Sequence, residues 1–299
     1  MNKDRITLLT RKLLATTRQL ALGPNTYKSL FARVIEGTFR RDYLTLYTML
    51  FLAEHNDPEA RRAFGTDCVD LSRRVLEDLI SLEYMLFKGK EQSAKKFFDY
   101  QAVEAKHDLD FLEAAGAPID QEFKAKVEKN YSKVKRKFLD SSGKARKRAW
   151  EELTEFLRSQ DKIDQQTEHE IEEEYHRRYP NVNDQTRRAW AGLDTEAMVE
   201  ELVSAGVISA EEKRTLHMTY ILGNRKNHFS PTDIAGFLFS DPNNEISDTD
   251  IALSLTATTT SVTRMAKIFA DEFDIPESTK QAIDEIWQAL FTAHLSEEE

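Results

Sequence analysis

Apolar residues recur along almost the whole chain at steps of three and four, the spacing that places them on one face of an α-helix. The pattern predicts helices over 4–21, 25–38, 40–55, 58–88, 91–115, 119–139, 143–178, 184–205, 210–227, 248–273 and 277–294. Turn-forming stretches fall between several of them: "LGPNT", "HNDP", "FKGK", "AGAP", "SSG" and "RYPNVND". Strand-like alternation is nearly absent. The β-branched run "SLTATTTSV" at 254–262 continues a helical stripe through Leu253, Val262, Met265 and Phe269, so it too is expected to be helix. No internal repeat is visible. The expectation is an all-α, multi-helix bundle with a long charged helical hairpin insertion. Its N-terminal part would be 1–118, the hairpin 119–180, and a C-terminal part 181–299 would complete the bundle.

Composition fits this reading. The 299 residues hold only 10 Gly and 7 Pro, few for a protein of many short strands and turns, and 40% are hydrophobic, enough to fill a core. The formal charge of −10 argues against a whole surface built for nucleic acid while leaving local patches open. Cys68 is the single cysteine, which excludes an intramolecular disulfide and a cysteine zinc cage, and it reads as a small buried residue. The N-terminus is interrupted by Arg and Lys, and the most apolar run, "YLTLYTMLFLAEH", is too short to span a bilayer. A cytoplasmic protein without a membrane partner is expected.

One segment departs from the average. Between Lys124 and Arg148 eleven Lys or Arg stand against Glu128 and Asp140; between Glu151 and Glu174 ten acidic residues stand against Arg158 and Lys162. The two halves are suited to fold back on each other as a hairpin of opposite charge. The alternative is a basic strip, Lys124–Arg148, that contacts RNA phosphates.

Polar residues on apolar faces are the next signal. On the 58–88 helix, Val69, Leu76, Leu79, Ile80, Leu86 and Phe87 form a stripe that includes Glu83, while Arg73, Glu77 and Tyr84 share its flank. On the following helix, Glu104 and His107 fall on the face of Phe97, Tyr100, Val103 and Phe111. Buried carboxylates must be paired, protonated or metal-bound. A buried ion network is one outcome. A carboxylate-bridged metal site of Glu77, Glu83, Glu104 and His107 is another, because "EAKH" has the Glu-x-x-His spacing of di-iron helices. The matching "EEYH" at 173–176 points away from its helix's apolar side. No glycine-rich phosphate loop, dinucleotide fingerprint or serine elbow is present, so no cofactor is expected.

The stretch "YILGNRKNHFSP" at 220–231 is the most polar of these faces. A helix there would align His217, Tyr220, Ile221, Asn224 and His228, with Arg225 at the edge. Arg, Asn and His in one turn supply a cation, an amide and a general acid/base, the groups needed to cleave RNA without metal. A polar helix end capped before Pro231 is the competing reading.

With these residues placed, the chain resembles an uncharacterised bacterial family, domain of unknown function 5677. The likeness is carried by "RRVLE" at 73–77, "KKFFDYQAVEAKHDL" at 95–109, "RRAWAGLD" at 187–194 and "YILGNRKNH" at 220–228, with Asn224 where the family has Ser. The C-terminal motif is also similar to that of the HEPN superfamily of helical nucleases. Arg225 and His228 are closer together here than in those enzymes, so Arg73 is a second candidate for the cation. The resemblance implies a metal-independent ribonuclease, a toxin or phage-defence effector acting as a homodimer. His228 would be the acid/base, Arg73 or Arg225 the phosphate contact, and Asn224, Tyr220 and Glu77 the positioning groups. A non-catalytic helical interaction module is the alternative.

Overall fold

The computed structural model describes residues 3–26, 28–55, 58–139, 144–159, 168–178, 189–209, 212–213 and 246–295. Among them every regular element is helical, and the chain is an all-α multi-helix bundle. The helices are α1 (Lys3–Leu22), α2 (Leu30–Glu54), α3 (Pro58–Lys88), α4 (Lys90–Ala114) and α5 (Gln121–Val134), which ends in a 3₁₀ turn at Lys135–Lys137. They continue with α6 (Lys144–Ser159), α7 (Glu168–Arg178), α8 (Thr195–Ser204), α9 (Ile246–Glu272) and α10 (Glu277–Leu295). Contacts divide the chain into a discontinuous first unit, Met1–Ala94 with Thr195–Glu299, and a continuous second unit, Lys95–Asp194. The boundaries fall inside α4 and just before α8.

In the first unit α9 packs against α1, α2, α3 and α10, and α8 packs against α3. A helix so enclosed needs side chains small enough for close approach and no unpaired polar groups. The Thr- and Ala-rich sequence of α9 meets the first demand and, except at the Thr258 hydroxyl, largely meets the second. Ile251, Leu255, Val262, Met265 and Phe269 are buried together with Ser254, Thr258, Thr259, Ser261 and Thr263. Thr263 donates to the carbonyl of Thr259 at 2.7 Å, a bond back to the preceding turn that lets a hydroxyl enter an apolar core. Thr10 of α1 does the same to Ile6, and its hydroxyl lies 2.7 Å from that of Thr259. Phe269 closes the other side, 5.3 Å from Phe39 and stacked on Phe273.

Element ends follow local chemistry. Ser29 caps α2 by accepting from the Ala32 amide, and Glu91 accepts from the amides of Leu30 and Phe31. Desolvation opposes the Glu91 carboxylate, but the bonds from Ser29, Phe31 and Leu30 outweigh it and hold its pKa below the usual range. Gly89, at φ +99°, makes the turn between α3 and α4, a conformation that side chains rarely adopt. The helices expected at 25–38 and 40–55 are one, α2, which runs unbroken through Gly37. The helix expected over 143–178 is two. Trp150 and Tyr175 have ring centroids 5.3 Å apart, and Arg178 lies over Phe156, so α7 returns along α6. A straight helix would separate Trp150 and Tyr175 by about 37 Å. Of the helix expected over 184–205, residues 189–194 are not helical and Thr195–Ser204 form α8; 184–188 lie outside the described residues.

Phe269→Ala should lower unfolding stability by about 3–5 kcal/mol, because α1, α2 and α3 cannot all move into the space left. The midpoint and slope of a urea titration check this.

Candidate functional site

The flank of α3 carries the described half of the expected site. Arg73 Nε donates to Glu77 Oε1 at 3.0 Å, as their i, i+4 spacing allows, with the side chains 24% and 33% exposed. The pair is thus held in place yet open to solvent. Glu83 is buried as expected, but its partner is Arg264 of α9, at 2.6 Å. Burial works against the Arg264 cation, but the hydrogen bond to Glu83 together with the charges of Glu83, Glu212 and Asp271 outweighs it, so its pKa is raised. Glu83 is therefore one member of an interhelical ion pair. The expected α3 stripe is buried at Val69, Leu76 and Ile80 but exposed at Leu86 and Phe87. Val75, Leu82 and Met85 are buried instead, because α2, α8 and α9 approach α3 from several sides.

The sequence reading missed a second polar cluster, between α2 and α3. Asp42 is fully buried, with Arg41 Nε 3.5 Å from its Oδ1 and the same guanidinium bonded to Asp78. Arg74 donates to the Thr45 hydroxyl at 2.7 Å, and Thr45 donates to the Arg41 carbonyl. Asp42 Oδ2 has no hydrogen-bond partner if the carboxyl is ionised. Burial pushes the Asp42 carboxyl up to about 8; Asp78 beside it adds to the rise and Arg41 opposes it. Asp78 is also raised, mainly by burial and against the pull of Arg41. The arrangement suits a protonated Asp42 that donates to Asp78. A signal was present: Asp42 stands among Phe39, Tyr43, Leu46 and Met49, as Glu83 stands in its own stripe.

In the second unit, Tyr100, Val103 and Leu109 of α4 are buried, while Glu104, His107 and Phe111 are exposed. The expectation that Glu104 and His107 face inward is corrected: they sit beside the buried stripe. Burial, then the charge of Asp108, raises the Glu104 pKa. Among the described residues no group of three or more His, Cys, Asp and Glu is placed to hold a metal ion. Cys68 is buried as expected, and burial followed by Asp67 pushes its thiol up to about 12, which makes it a poor nucleophile.

The basic segment divides in two. Lys124 pairs with Glu113 and Lys137 with Asp99 at 2.7 Å, so these cations are bound to α4. Glu174 of α7 is held by Arg177 and Arg178 of its own helix, whose hydrogen bonds bring its pKa down to about 2. Lys126, Lys129, Lys133 and Arg136 are exposed and have no carboxylate partner among the described residues. Their spacing of three, four and three places them in one row along α5 and its 3₁₀ turn. Lys144, Arg146, Lys147 and Arg148 lie in the first turns of α6, and of these four only the backbone is described.

Tyr220, Asn224, Arg225 and His228 lie outside the described residues. No family model, no curated protein and no solved structure matches the chain.

Asp42→Asn tests the buried acid. An acid whose pKa is higher folded than unfolded stabilises the fold fully below its unfolded value of 3.8 and loses that contribution as pH rises toward about 8. The amide keeps a donor toward Asp78 and cannot ionise. The wild type should lose stability between pH 5 and 8, on the order of a few kcal/mol, and the variant should lose much less. Urea midpoints at the two pH values measure the difference.

Proposed function

We propose that the protein is a metal-independent ribonuclease of the cytoplasm that holds its RNA through α5. The row of Lys126, Lys129, Lys133 and Arg136 is the observation that carries this reading. A chain of net charge −10 repels a polyanion on average, so productive contact requires a local row of uncompensated cations. From Lys126 to Arg136 the row covers about 15 Å, enough for several phosphates of a single strand.

The cleavage chemistry is assigned to His228 as the base for the ribose 2′-OH, with Arg73 or Arg225 stabilising the charged phosphate. Asn224, Tyr220 and Glu77 position these groups. The Arg73–Glu77 pair supports the assignment, since an orienting carboxylate fixes a guanidinium that solvent, and hence a phosphate, can reach. The toxin or phage-defence role and the homodimer are proposed from the likeness of the short motifs at 73–77 and 220–228 alone. A non-catalytic interaction module is the second reading, favoured by exposed apolar side chains on α2.

Purified wild type should cleave a mixed RNA pool in excess chelator, and His228→Ala should lose that cleavage by about 100-fold or more with an unchanged circular dichroism spectrum. Retained cleavage in the variant would remove the assignment. Changing Lys126, Lys129, Lys133 and Arg136 together to Glu should abolish RNA retention. In the wild type, log affinity against log salt should fall with a slope of about −3, as four phosphate contacts to a single strand require.

A further inference from the structure

α2 has two faces. The inner one buries Phe31, Ile35, Phe39, Leu46 and Met49. On the outer one Leu44, Tyr47 and Phe51 are 50%, 59% and 64% exposed. They are spaced by three and four, so they form one continuous apolar row about 10 Å long on the solvent side of the helix. Singly exposed apolar residues are ordinary, but three large ones in register on one helix face mark an interaction surface.

The same register continues into charge at both ends. Arg40 lies seven residues before Tyr47 and Glu54 seven residues after it. Each is already tethered, and each retains capacity. Arg40 donates from Nε to the Ala21 carbonyl and from Nη2 to Gly23 and Glu36, which leaves Nη1 uncommitted. Glu54 accepts from Arg11 on Oε1, which leaves Oε2 uncommitted. An isologous interface must be complementary to itself, so each charge has to meet its opposite when the surface is turned about a two-fold axis. Antiparallel pairing of two α2 helices about Tyr47 does this. It sets Leu44 of each copy opposite Phe51 of the other with the two Tyr47 side chains together at the axis, and brings each Arg40 opposite a Glu54.

We infer that the outer face of α2 is the dimer interface of this protein, formed with a second copy of the same chain in antiparallel register about Tyr47. The inference stands on the α2 row and its flanking charges and does not depend on whether the protein cleaves RNA. Arg40 and Glu54 set the register, and the three apolar side chains supply the buried centre.

The test reads oligomeric state by light scattering after gel filtration. Wild type is expected to dimerise with a concentration-dependent mass. Tyr47→Lys puts two cations face to face at the axis and should raise the dissociation constant by about 100-fold or more. That side chain points to solvent in the single chain, so the variant should keep the wild-type circular dichroism spectrum. Arg40→Glu alone and Glu54→Arg alone should each be monomeric, and an equimolar mixture of the two should regain the dimer mass, because every cross-pair is again of opposite charge. A wild type that stays monomeric at roughly 100 μM, beyond the range of a specific dimer, would overturn the inference. So would a Tyr47→Lys dimer as tight as wild type, or a mixture of the two charge variants that stays monomeric while both are folded.

Discussion

The first unit depends on the burial of α9 from nearly every side. An enclosed helix built from large residues would hold its neighbours apart, and one built from polar residues would bring unpaired groups into the core. The run from Ser254 to Thr263 avoids both outcomes. Its side chains are small, and the buried hydroxyls of Thr10 and Thr263 return to carbonyls one turn earlier. Thr258 is an exception, with a buried hydroxyl that lacks a protein partner. The remaining volume is filled by Phe269 against Phe39 and Phe273.

Charge inside the unit is managed in two ways. Glu83 is matched with a cation across the interface to α9, and the cost of burying one is offset by the other. Asp42 has only a more distant Arg41 to face and a second carboxyl beside it, which favours neutralisation by a proton over ion pairing. The surface differs again. Along α5 the cations near α4 are neutralised, while Lys126, Lys129, Lys133 and Arg136 are left to solvent.

Much of the helical architecture was legible because apolar periodicity records which face a helix buries. The ends of α1, α3, α4, α9 and α10 fall within two residues of where periodicity and turn signals place them. The failures have physical causes. The break expected between residues 38 and 40 does not occur, because Phe31, Ile35 and Phe39 before it and Tyr43, Leu46 and Met49 after it are buried on one continuous helix, which carries through Gly37 despite its poor intrinsic propensity. The dense charge of 143–178, basic then acidic, concealed a reversal that brings the distant pair Trp150 and Tyr175 together. Periodicity also gave Glu104 and His107 a direction they do not have, because α4 buries a narrower face than its aromatic residues suggest. Arg73 beside Glu77 could be read from i, i+4 spacing alone. That Glu83 meets Arg264, 181 positions away, could not, since nothing local in either helix specifies the other.

The order of the elements bears on how the chain is made. α9, the centre of the first unit, is synthesised after the whole of the second. At ordinary translation rates the ribosome needs about 10–40 seconds to pass from the end of α3 to the end of α9. The continuous second unit can condense during that interval. The apolar faces of α1, α2 and α3, including the side of Phe39 that Phe269 finally covers, have to wait. The first unit is therefore completed late, and its nascent form is the stage at which a chaperone would find uncovered apolar surface.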